Sequence, residues 1–217
     1  MLIKRARYLA ISRSTPTVSE VNECAKLVRK IEPDIIIAIG GGSTIDLAKA
    51  VSICADDISV YHGTGKKVPE EHIPIIAVPT TSGTGSEVTC VSVLTDRIRG
   101  VKAPIVSESF YPKAAIIDPE LTISVPPNVT ASTGIDVLCH AVEGYWSKGH
   151  QPICDALADK IFELKKSLGL RTSLADLKLD SKQITELVRL SHHPNMDNNP
   201  VSITDDILTD MYNKLSR

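Results

Sequence analysis

The stretch that decides the fold runs from Asp34 to Ala50 and reads DIIIAIGGGSTIDLAKA. An apolar, β-branched run, Ile35 to Ile39, ends at three glycines and passes into a helical pattern of apolar residues. An apolar run closed by glycine is typical of a strand that is buried on both faces in a parallel sheet. The stretch therefore predicts a buried strand, a glycine turn and a helix, in that order.

The glycine turn, Gly40-Gly41-Gly42, suits the binding of a phosphate or a pyrophosphate. Glycine takes positive φ readily and lets a ligand come close to the backbone. Ser43 or Thr44 is expected to cap the following helix, whose N–H groups and positive dipole end favour an anion. The turn is neither the Gly-x-Gly-x-x-Gly fingerprint nor a Walker loop, so a plain strand–turn–helix corner is the alternative.

Composition and charge restrict the classes of function. The chain has 217 residues, of which 42% are hydrophobic and 23% charged, as in an ordinary soluble globular protein. Its net charge of −2 predicts no nucleic-acid partner, and no apolar run approaches the roughly 20 residues that a membrane span needs. The five cysteines are scattered and odd in number, and the N-terminus lacks a signal-peptide core. These features predict a reduced cytoplasmic protein without a membrane segment.

A second apolar run, Ile73 to Val78, ends in another polar loop. This loop, PTTSGTGSE from Pro79 to Glu87, carries five hydroxyls and two glycines between Thr80 and Ser86. It is either a solvated turn with self-capping hydroxyls or a polar cradle at the carboxyl end of a strand, where open α/β sheets bind ligands. Two such loops after two apolar strands favour the cradle.

The remaining elements divide the chain into an α/β part and a helical part. Before the first apolar run, the sequence predicts a short strand over Arg7 to Ser12 and an amphipathic helix over Thr17 to Ile31. The later strands of the α/β part are expected at Thr89 to Thr95, Val101 to Val106 and Ala114 to Ile117. Pro126-Pro127 indicates a stiff break, and helices are expected after it at about Ser132 to Ser147, Pro152 to Leu168, Ser181 to Leu190 and Thr204 to Leu215. We therefore predict an α/β domain over residues 1–126 and a helical domain over 127–217.

Asp136 and His140 form a second candidate constellation. They are four residues apart and share one face of the predicted helix, with Glu143 three residues further along. A carboxylate oxygen and an imidazole nitrogen on adjacent turns can hold one divalent metal, iron(II) or zinc. The alternatives are that Asp136 belongs to a capping box with Thr133, and that His140 is a hydrogen-bonded core residue.

Taken together, these stretches resemble the iron-containing (group III) alcohol dehydrogenase family. The matching sequences are GGGSxxDxxK from Gly40, PTTSGTGSEVT from Pro79, DPEL from Asp118 and GIDxxxHAxE from Gly134. The resemblance implies a Rossmann-like parallel-sheet domain that binds NAD or NADP, followed by a shortened, all-helical domain that carries iron or zinc. The implied reaction is hydride transfer between a small alcohol or aldehyde and NAD(P), with the metal at the alcohol oxygen.

The resemblance also implies roles for individual residues. The pyrophosphate would be held by Gly41, Gly42 and Ser43. The rest of the cofactor cleft would be lined by Thr80, Thr81, Thr84 and Ser86, with Lys102 nearby. Asp136 and His140 would be the first two metal ligands.

The chain departs from the family pattern in two places. The family's first strand and helix, which precede the region of Arg7, have no counterpart, and neither have its two later His ligands. His150, His192 and His193 match no ligand position, and from about Lys165 the sequence resembles the extreme C-terminus of the family. Two hypotheses follow, with homo-oligomerisation left open in both. The first is a metal-dependent alcohol dehydrogenase. The second is a non-catalytic, truncated relative that retains dinucleotide binding or only an interaction role.

Overall fold

A computed structural model of the protein describes residues 15–148, 151–167, 180–191 and 204–215. Contacts between residues divide the chain into two compact units, Met1–Gly134 and Ile135–Arg217. The division falls inside a long helix. The assignment of residues 1–126 to a cofactor domain and of 127–217 to a metal domain stays a prediction.

Helix α1 (Val18–Ile31) is fixed at its start by a capping box. The Glu20 backbone N–H donates to Thr17 Oγ1 at 3.2 Å, and the Thr17 N–H donates to the Glu20 carboxylate at 2.9 Å. These reciprocal bonds satisfy two N–H groups that the first helical turn leaves without a partner. Val21, Cys24 and Ala25 are buried on the inner side, which confirms the predicted amphipathic helix.

Replacing Thr17 by alanine is expected to lower the free energy of unfolding by about 1 kcal/mol, because the Glu20 N–H loses its acceptor, Thr17 Oγ1. Urea unfolding followed by circular dichroism measures this change. Lys26→Ala, an exposed substitution in the middle of the same helix, is the control and should change the free energy by less than about 0.5 kcal/mol. Equal effects of the two substitutions would contradict the capping role.

The first unit contains a parallel sheet and an antiparallel hairpin. Its strands are β1 (Ile36–Gly40), β2 (Ile75–Pro79), β3 (Val91–Asp96), β4 (Val101–Val106) and β5 (Ala114–Ala115). The parallel sheet has the order β1-β2-β5, and β1 pairs with β2 from Ile36 opposite Ile75 to Gly40 opposite Pro79. Because β1 and β2 end at the same edge, the polar loops after them begin side by side. The sheet confirms the predicted α/β, Rossmann-like fold class.

Strand β1 is exposed on one face, so the prediction of a strand buried on both faces was wrong. Ile37 and Ile39 are 50% and 62% exposed, whereas Ala38 is buried. Side chains alternate across a strand, and Ala38 points to the face where it packs with Ile45 and Ala48 of helix α2 (Gly42–Ser52). An apolar run predicts an apolar strand, but it does not specify which element covers each face.

Strands β3 and β4, both near their predicted positions, form an antiparallel hairpin with Val91 opposite Val106 and Asp96 opposite Val101. Leu94 and Ile105 point into the main apolar core, which they share with Phe110 and with residues of α1 and α2. The hairpin thereby lies beside α2, which also contacts β1 and β2. Helix α2 is the element that joins the sheet to the hairpin.

A buried histidine fastens this hairpin to the segment between α2 and β2. His62 is fully buried, with Nε2 lying 3.0 Å from the Leu94 carbonyl oxygen and Nδ1 lying 2.9 Å from Arg99 Nη2. A carbonyl only accepts and a guanidinium only donates, so Nε2 carries the hydrogen and Nδ1 accepts. Arg99 also pairs with the carboxylate of Asp96. This cluster is a structural anchor for the hairpin turn.

Helices follow the α/β region, as predicted. They are α3 (Pro127–Trp146), α4 (Pro152–Ser167), α5 (Ser181–Ser191) and α6 (Asp205–Leu215). Helix α3 begins five residues earlier than expected, because proline is well suited to the first position of a helix. Pro126-Pro127 therefore lies directly at the start of the helix. Helices α5 and α6 pack on each other and contribute the buried residues Ile184, Val188 and Leu208.

Some predictions lie outside the described residues. These are the short strand over Arg7 to Ser12 and the positions of His150, His192 and His193. Within the described ranges, no helix combines the length and the apolar character that crossing a membrane requires.

Candidate functional site

The two polar loops meet at the carboxyl edge of the parallel sheet. The Thr80 N–H donates to the Gly40 carbonyl oxygen at 2.9 Å, which joins the start of the second loop to the first. A Cβ atom placed on Gly42 would lie 2.6 Å from Thr84 Oγ1. The glycine turn is therefore needed because the second loop packs directly against its backbone.

The same close approach occurs one residue earlier. A Cβ atom on Gly41 would lie 3.0 Å from Thr81 Oγ1, a distance that leaves little space for a side chain. Thr80 and Thr81 are partly exposed and Thr84 is exposed, so these three threonines reach the surface beside the glycines. The structure thus brings together five of the predicted cofactor residues: Gly41, Gly42, Thr80, Thr81 and Thr84.

The N-terminus of α2 lies in this cleft and has no side-chain cap. Its N-cap residue is Gly41, with φ of −74°, and the helix begins at Gly42. Ser43 and Thr44 therefore lie within the first turn, and the prediction that one of them caps the helix was wrong. Of the three glycines only Gly40 has a positive φ, 157°. The first N–H groups of an uncapped helix, together with its positive dipole end, suit an anionic ligand.

Ser86 is placed differently from the other predicted cofactor residues. Its side chain is buried, with 3% of the residue exposed. Its hydroxyl donates to the Asp46 carboxylate through a short hydrogen bond and accepts from Lys49 Nζ at 3.2 Å. The single hydrogen of this hydroxyl is therefore donated inside the protein, and its oxygen accepts there from Lys49.

Lys49 is fully enclosed beneath the second loop. Besides Ser86, its ammonium donates to Thr89 Oγ1 at 3.1 Å and to the Val91 carbonyl oxygen at 2.8 Å. Three acceptors match its three N–H donors. Burial lowers the pKa of Lys49 to about 8, against the attraction of Asp46 and other acidic neighbours.

Asp46 completes this buried network. Its carboxylate accepts from the Ser86 hydroxyl and from the Val93 N–H at 3.0 Å. Burial raises the pKa of Asp46, an effect opposed by those two hydrogen bonds and by the charges of Lys49 and Lys102. Lys102 itself is exposed on β4, opposite Thr95.

The sequence contained a signal for this network. Asp46 and Lys49 are charged, yet they lie in a helix whose neighbouring residues Ile45, Leu47 and Ala48 are apolar and buried. Charged side chains are almost never fully buried unless they are paired, so two of them in such a helix predict a buried polar contact.

Asp136 and His140 lie on one face of α3, as predicted. Asp136 Oδ1 lies 3.8 Å from His140 Nε2, and the two side chains are 43% and 52% exposed. Both alternatives were wrong. Asp136 is inside α3, nine residues after its start at Pro127, so it caps nothing, and His140 is not a core residue.

The pair fits a metal as two of its ligands. Atoms that each lie about 2.0–2.2 Å from one ion can be separated by 3.8 Å. Catalytic zinc sites usually have about three protein ligands. Among the residues that the structure describes, no group of three or more His, Cys, Asp or Glu side chains could hold a metal. The described residues therefore offer two of the ligands that a metal site would need.

Comparisons with known proteins assign the chain to a family. Residues 5–119 match the sequence model for iron-containing alcohol dehydrogenase, and residues 130–161 match the model for the C-terminal part of the same family. The chain belongs to the iron-containing alcohol dehydrogenase family.

Individual relatives are enzymes that use nicotinamide cofactors. The chain is 40% identical over 152 residues to an NAD-dependent methanol dehydrogenase from Bacillus methanolicus, covering 69% of this chain and 40% of that protein. It is 42% identical over 154 residues to an NADPH-dependent butanol dehydrogenase from Clostridium saccharobutylicum, covering 69% and 40%. The chain thus spans about two fifths of the length of these curated relatives.

A solved structure extends the similarity to the fold. Sulfoacetaldehyde reductase from Bifidobacterium kashiwanohense, crystallised in complex with NAD+, superposes with a TM-score of 0.77 at 40% identity. The match covers 94% of this chain and 82% of the solved chain.

Proposed function

We propose that this chain binds NAD or NADP in the cleft between its two polar loops and acts in metal-dependent hydride transfer between a small alcohol or aldehyde and that cofactor. One observation carries the proposal. The loops after β1 and β2 lie in contact at the carboxyl edge of the sheet, with glycine backbone and an uncapped helix N-terminus on one side and threonine hydroxyls on the other. The similarity to relatives that use NAD and NADPH supports both cofactors.

Each residue has a defined part in this proposal. The backbone of Gly41–Ser43 binds the pyrophosphate, because the first N–H groups of α2 lie there. Thr80, Thr81 and Thr84 donate hydroxyl hydrogen bonds along the cofactor and orient it. Bound cofactor supplies the hydride acceptor or donor.

Asp136 and His140 would hold the metal as two of its ligands. A metal at this position supplies a Lewis acid that stabilises negative charge on the alcohol oxygen. The carboxylate and imidazole are preorganised for this role, since both lie on one helical face at 3.8 Å.

Titration of the full chain with NADH and with NADPH, followed by nucleotide fluorescence, tests the cofactor assignment. We expect saturable binding of at least one of them. Short alcohols are then supplied with the oxidised cofactor to measure turnover, with and without a chelator. Absence of saturable binding for both nucleotides would overturn the proposal, and binding without turnover would restrict the chain to dinucleotide binding.

The double substitution Asp136→Ala/His140→Ala is expected to remove the metal. After anaerobic purification, elemental analysis should give about one iron or zinc ion per wild-type chain and close to none in the double variant. Glu163→Ala, at an exposed acidic position on α4, is the matched control and should retain wild-type metal content. Equal metal content in the wild type and the double variant would exclude this pair as ligands.

A further inference from the structure

We infer that Asp46, Lys49 and Ser86 are positioning residues, which hold the loop from Thr80 to Ser86 at the spacing from α2 that a bound dinucleotide requires. The inference rests on the proposed function. It assigns Ser86 an indirect part in binding, in place of a contact with the cofactor.

Hydrogen bonds join helix α2 to the end of the loop from Thr80 to Ser86. Asp46 and Lys49 both come from α2, and both bond to the Ser86 hydroxyl at the end of the loop. Lys49 also bonds to Thr89 and to the Val91 carbonyl oxygen, so the helix holds the chain at Ser86 and at two positions after it.

The helix is fastened to β3 by a second set of bonds. The Ser92 hydroxyl donates to the Asp46 carbonyl oxygen at 2.7 Å, and the Val93 N–H donates to the Asp46 carboxylate at 3.0 Å. The end of the loop is therefore held between α2 and a strand of the hairpin.

The second step links this network to the exposed cleft. The Ser86 N–H donates to Thr84 Oγ1 at 3.2 Å, and the Thr84 side chain lies directly against Gly42. A shift of Ser86 would therefore move Thr84, which borders the N-terminus of α2. A misplacement of about 1 Å at a binding group can lower function by about 100-fold.

The third step excludes direct use of Ser86 by a ligand. The Lys49 ammonium has no acceptor, so the single hydroxyl hydrogen of Ser86 must point to Asp46 while its oxygen accepts from Lys49. Only 3% of the residue is exposed, so Ser86 offers almost no surface to a ligand. Its effect on a cofactor must pass through the loop.

The test compares the NADH affinity of the full wild-type chain with that of two variants of this network. Lys49→Met removes the ammonium and keeps a side chain of similar length, and Ser86→Ala removes only the hydroxyl. We expect dissociation constants about 10- to 100-fold weaker for Lys49→Met, and weaker by about 10-fold for Ser86→Ala. Because the lysine variant can fail to fold, the serine variant carries the test in that case.

Arg99→Ala is the control for a merely structural effect. It loses the contacts to His62 and Asp96 at the far end of the same hairpin, so it destabilises the same unit. It should lower the melting temperature and leave NADH affinity within about twofold of wild type, because its hydrogen-bond partners His62 and Asp96 lie outside both loops. Equal weakening of NADH binding in Arg99→Ala and Ser86→Ala would overturn the inference.

A second measurement needs no cofactor. Hydrogen–deuterium exchange of the ligand-free chain should be faster over residues 80–86 in Ser86→Ala, with exchange in β1 and β2 unchanged. In the binding assay, the loss of NADH binding free energy caused by Thr81→Ala should add to the loss caused by Ser86→Ala. The double variant Lys49→Met/Ser86→Ala should bind NADH no more weakly than Lys49→Met alone.

The outcomes separate the two proposals. A wild-type chain that does not bind NADH or NADPH overturns the proposed function. A wild-type chain that binds, with unchanged affinity in Ser86→Ala and Lys49→Met or unchanged exchange over residues 80–86, overturns only this inference.

Discussion

Replacing Gly42 by alanine is expected to weaken NADH binding by roughly 10- to 100-fold while leaving the fold intact. The new Cβ atom would lie 2.6 Å from Thr84 Oγ1 and 2.7 Å from Thr84 Cγ2, so the threonine side chain must move. Thr84 borders the first turn of α2 and accepts the Ser86 N–H. Its displacement therefore changes both the surface beside α2 and the end of the second loop. Alanine is otherwise favourable in a helix, so the backbone of α2 should tolerate the change.

Nucleotide fluorescence titration measures the affinity, and thermal unfolding measures the stability of the same sample. Gly144→Ala is the matched control, because a Cβ atom at Gly144 meets nothing within 4 Å. The control should bind NADH as the wild type does and should be slightly more stable, since alanine replaces glycine inside α3. Wild-type affinity in Gly42→Ala would show that the second loop does not need to lie against the glycine turn.

Replacing Lys49 by methionine is expected to lower the free energy of unfolding at neutral pH by about 3 kcal/mol. Methionine removes the cost of burying the ammonium. It also leaves Ser86, Thr89 and the Val91 carbonyl oxygen without their donor, and it leaves the Asp46 carboxylate without its buried cation. The losses outweigh the gain, because each buried group without a partner costs about 1–3 kcal/mol.

The stability difference between wild type and Lys49→Met should also depend on pH. The pKa of Lys49 is about 8 in the folded protein and 10.5 in the unfolded chain, so between these values the unfolded chain binds more protons. The contribution of this group to stability is therefore complete above the unfolded pKa and is lost as the pH falls through about 8. The wild-type advantage should grow by up to about 1.4 kcal/mol per pH unit above pH 8.

Urea unfolding of both proteins at several pH values from about 7 to 10 measures this dependence. The other titratable groups are the same in both proteins. Their effect on the difference in free energy of unfolding therefore cancels to first order. A difference that stays constant or shrinks with rising pH would contradict a depressed lysine pKa. Lys26→Ala, at an exposed lysine on α1, should show no such dependence on pH.

The sequence pattern predicted the order and type of the elements because each has a local cause. Helix α1 lies where the amphipathic pattern predicts it, and the strand–glycine–helix order around Gly40 follows from an apolar run that ends in residues without side chains. The contact between the two loops also follows, since neighbouring parallel strands end at the same edge.

Other features depended on tertiary contacts that no local pattern contains. The exposed face of β1, with Ile37 and Ile39, depends on which elements cover the sheet. The start of α3 at Pro127 was missed because proline both ends and begins helices, and only the following chain decides between them.

The position of Ser86 was missed for a related reason. A hydroxyl in a polar loop is expected to face solvent or ligand, but here the partners Asp46 and Lys49 lie about 40 residues earlier in the sequence and draw it inward. In the sequence the loop hydroxyls look alike. In the structure Ser86 is buried, whereas Thr80, Thr81 and Thr84 are partly or fully exposed.

The enclosure of Lys49 makes this side chain a chemical reporter of local opening. An amine reagent such as acetic anhydride needs direct access to the nitrogen, which exposed lysines such as Lys26 and Lys102 offer at all times. Lys49 offers it only when the second loop lifts away from α2, because all three of its hydrogens are bonded and none of its surface is exposed. The rate of Lys49 acylation, followed by mass spectrometry, therefore measures how often the cleft opens. A nucleotide bound in the cleft should slow that rate without altering the labelling of the exposed lysines.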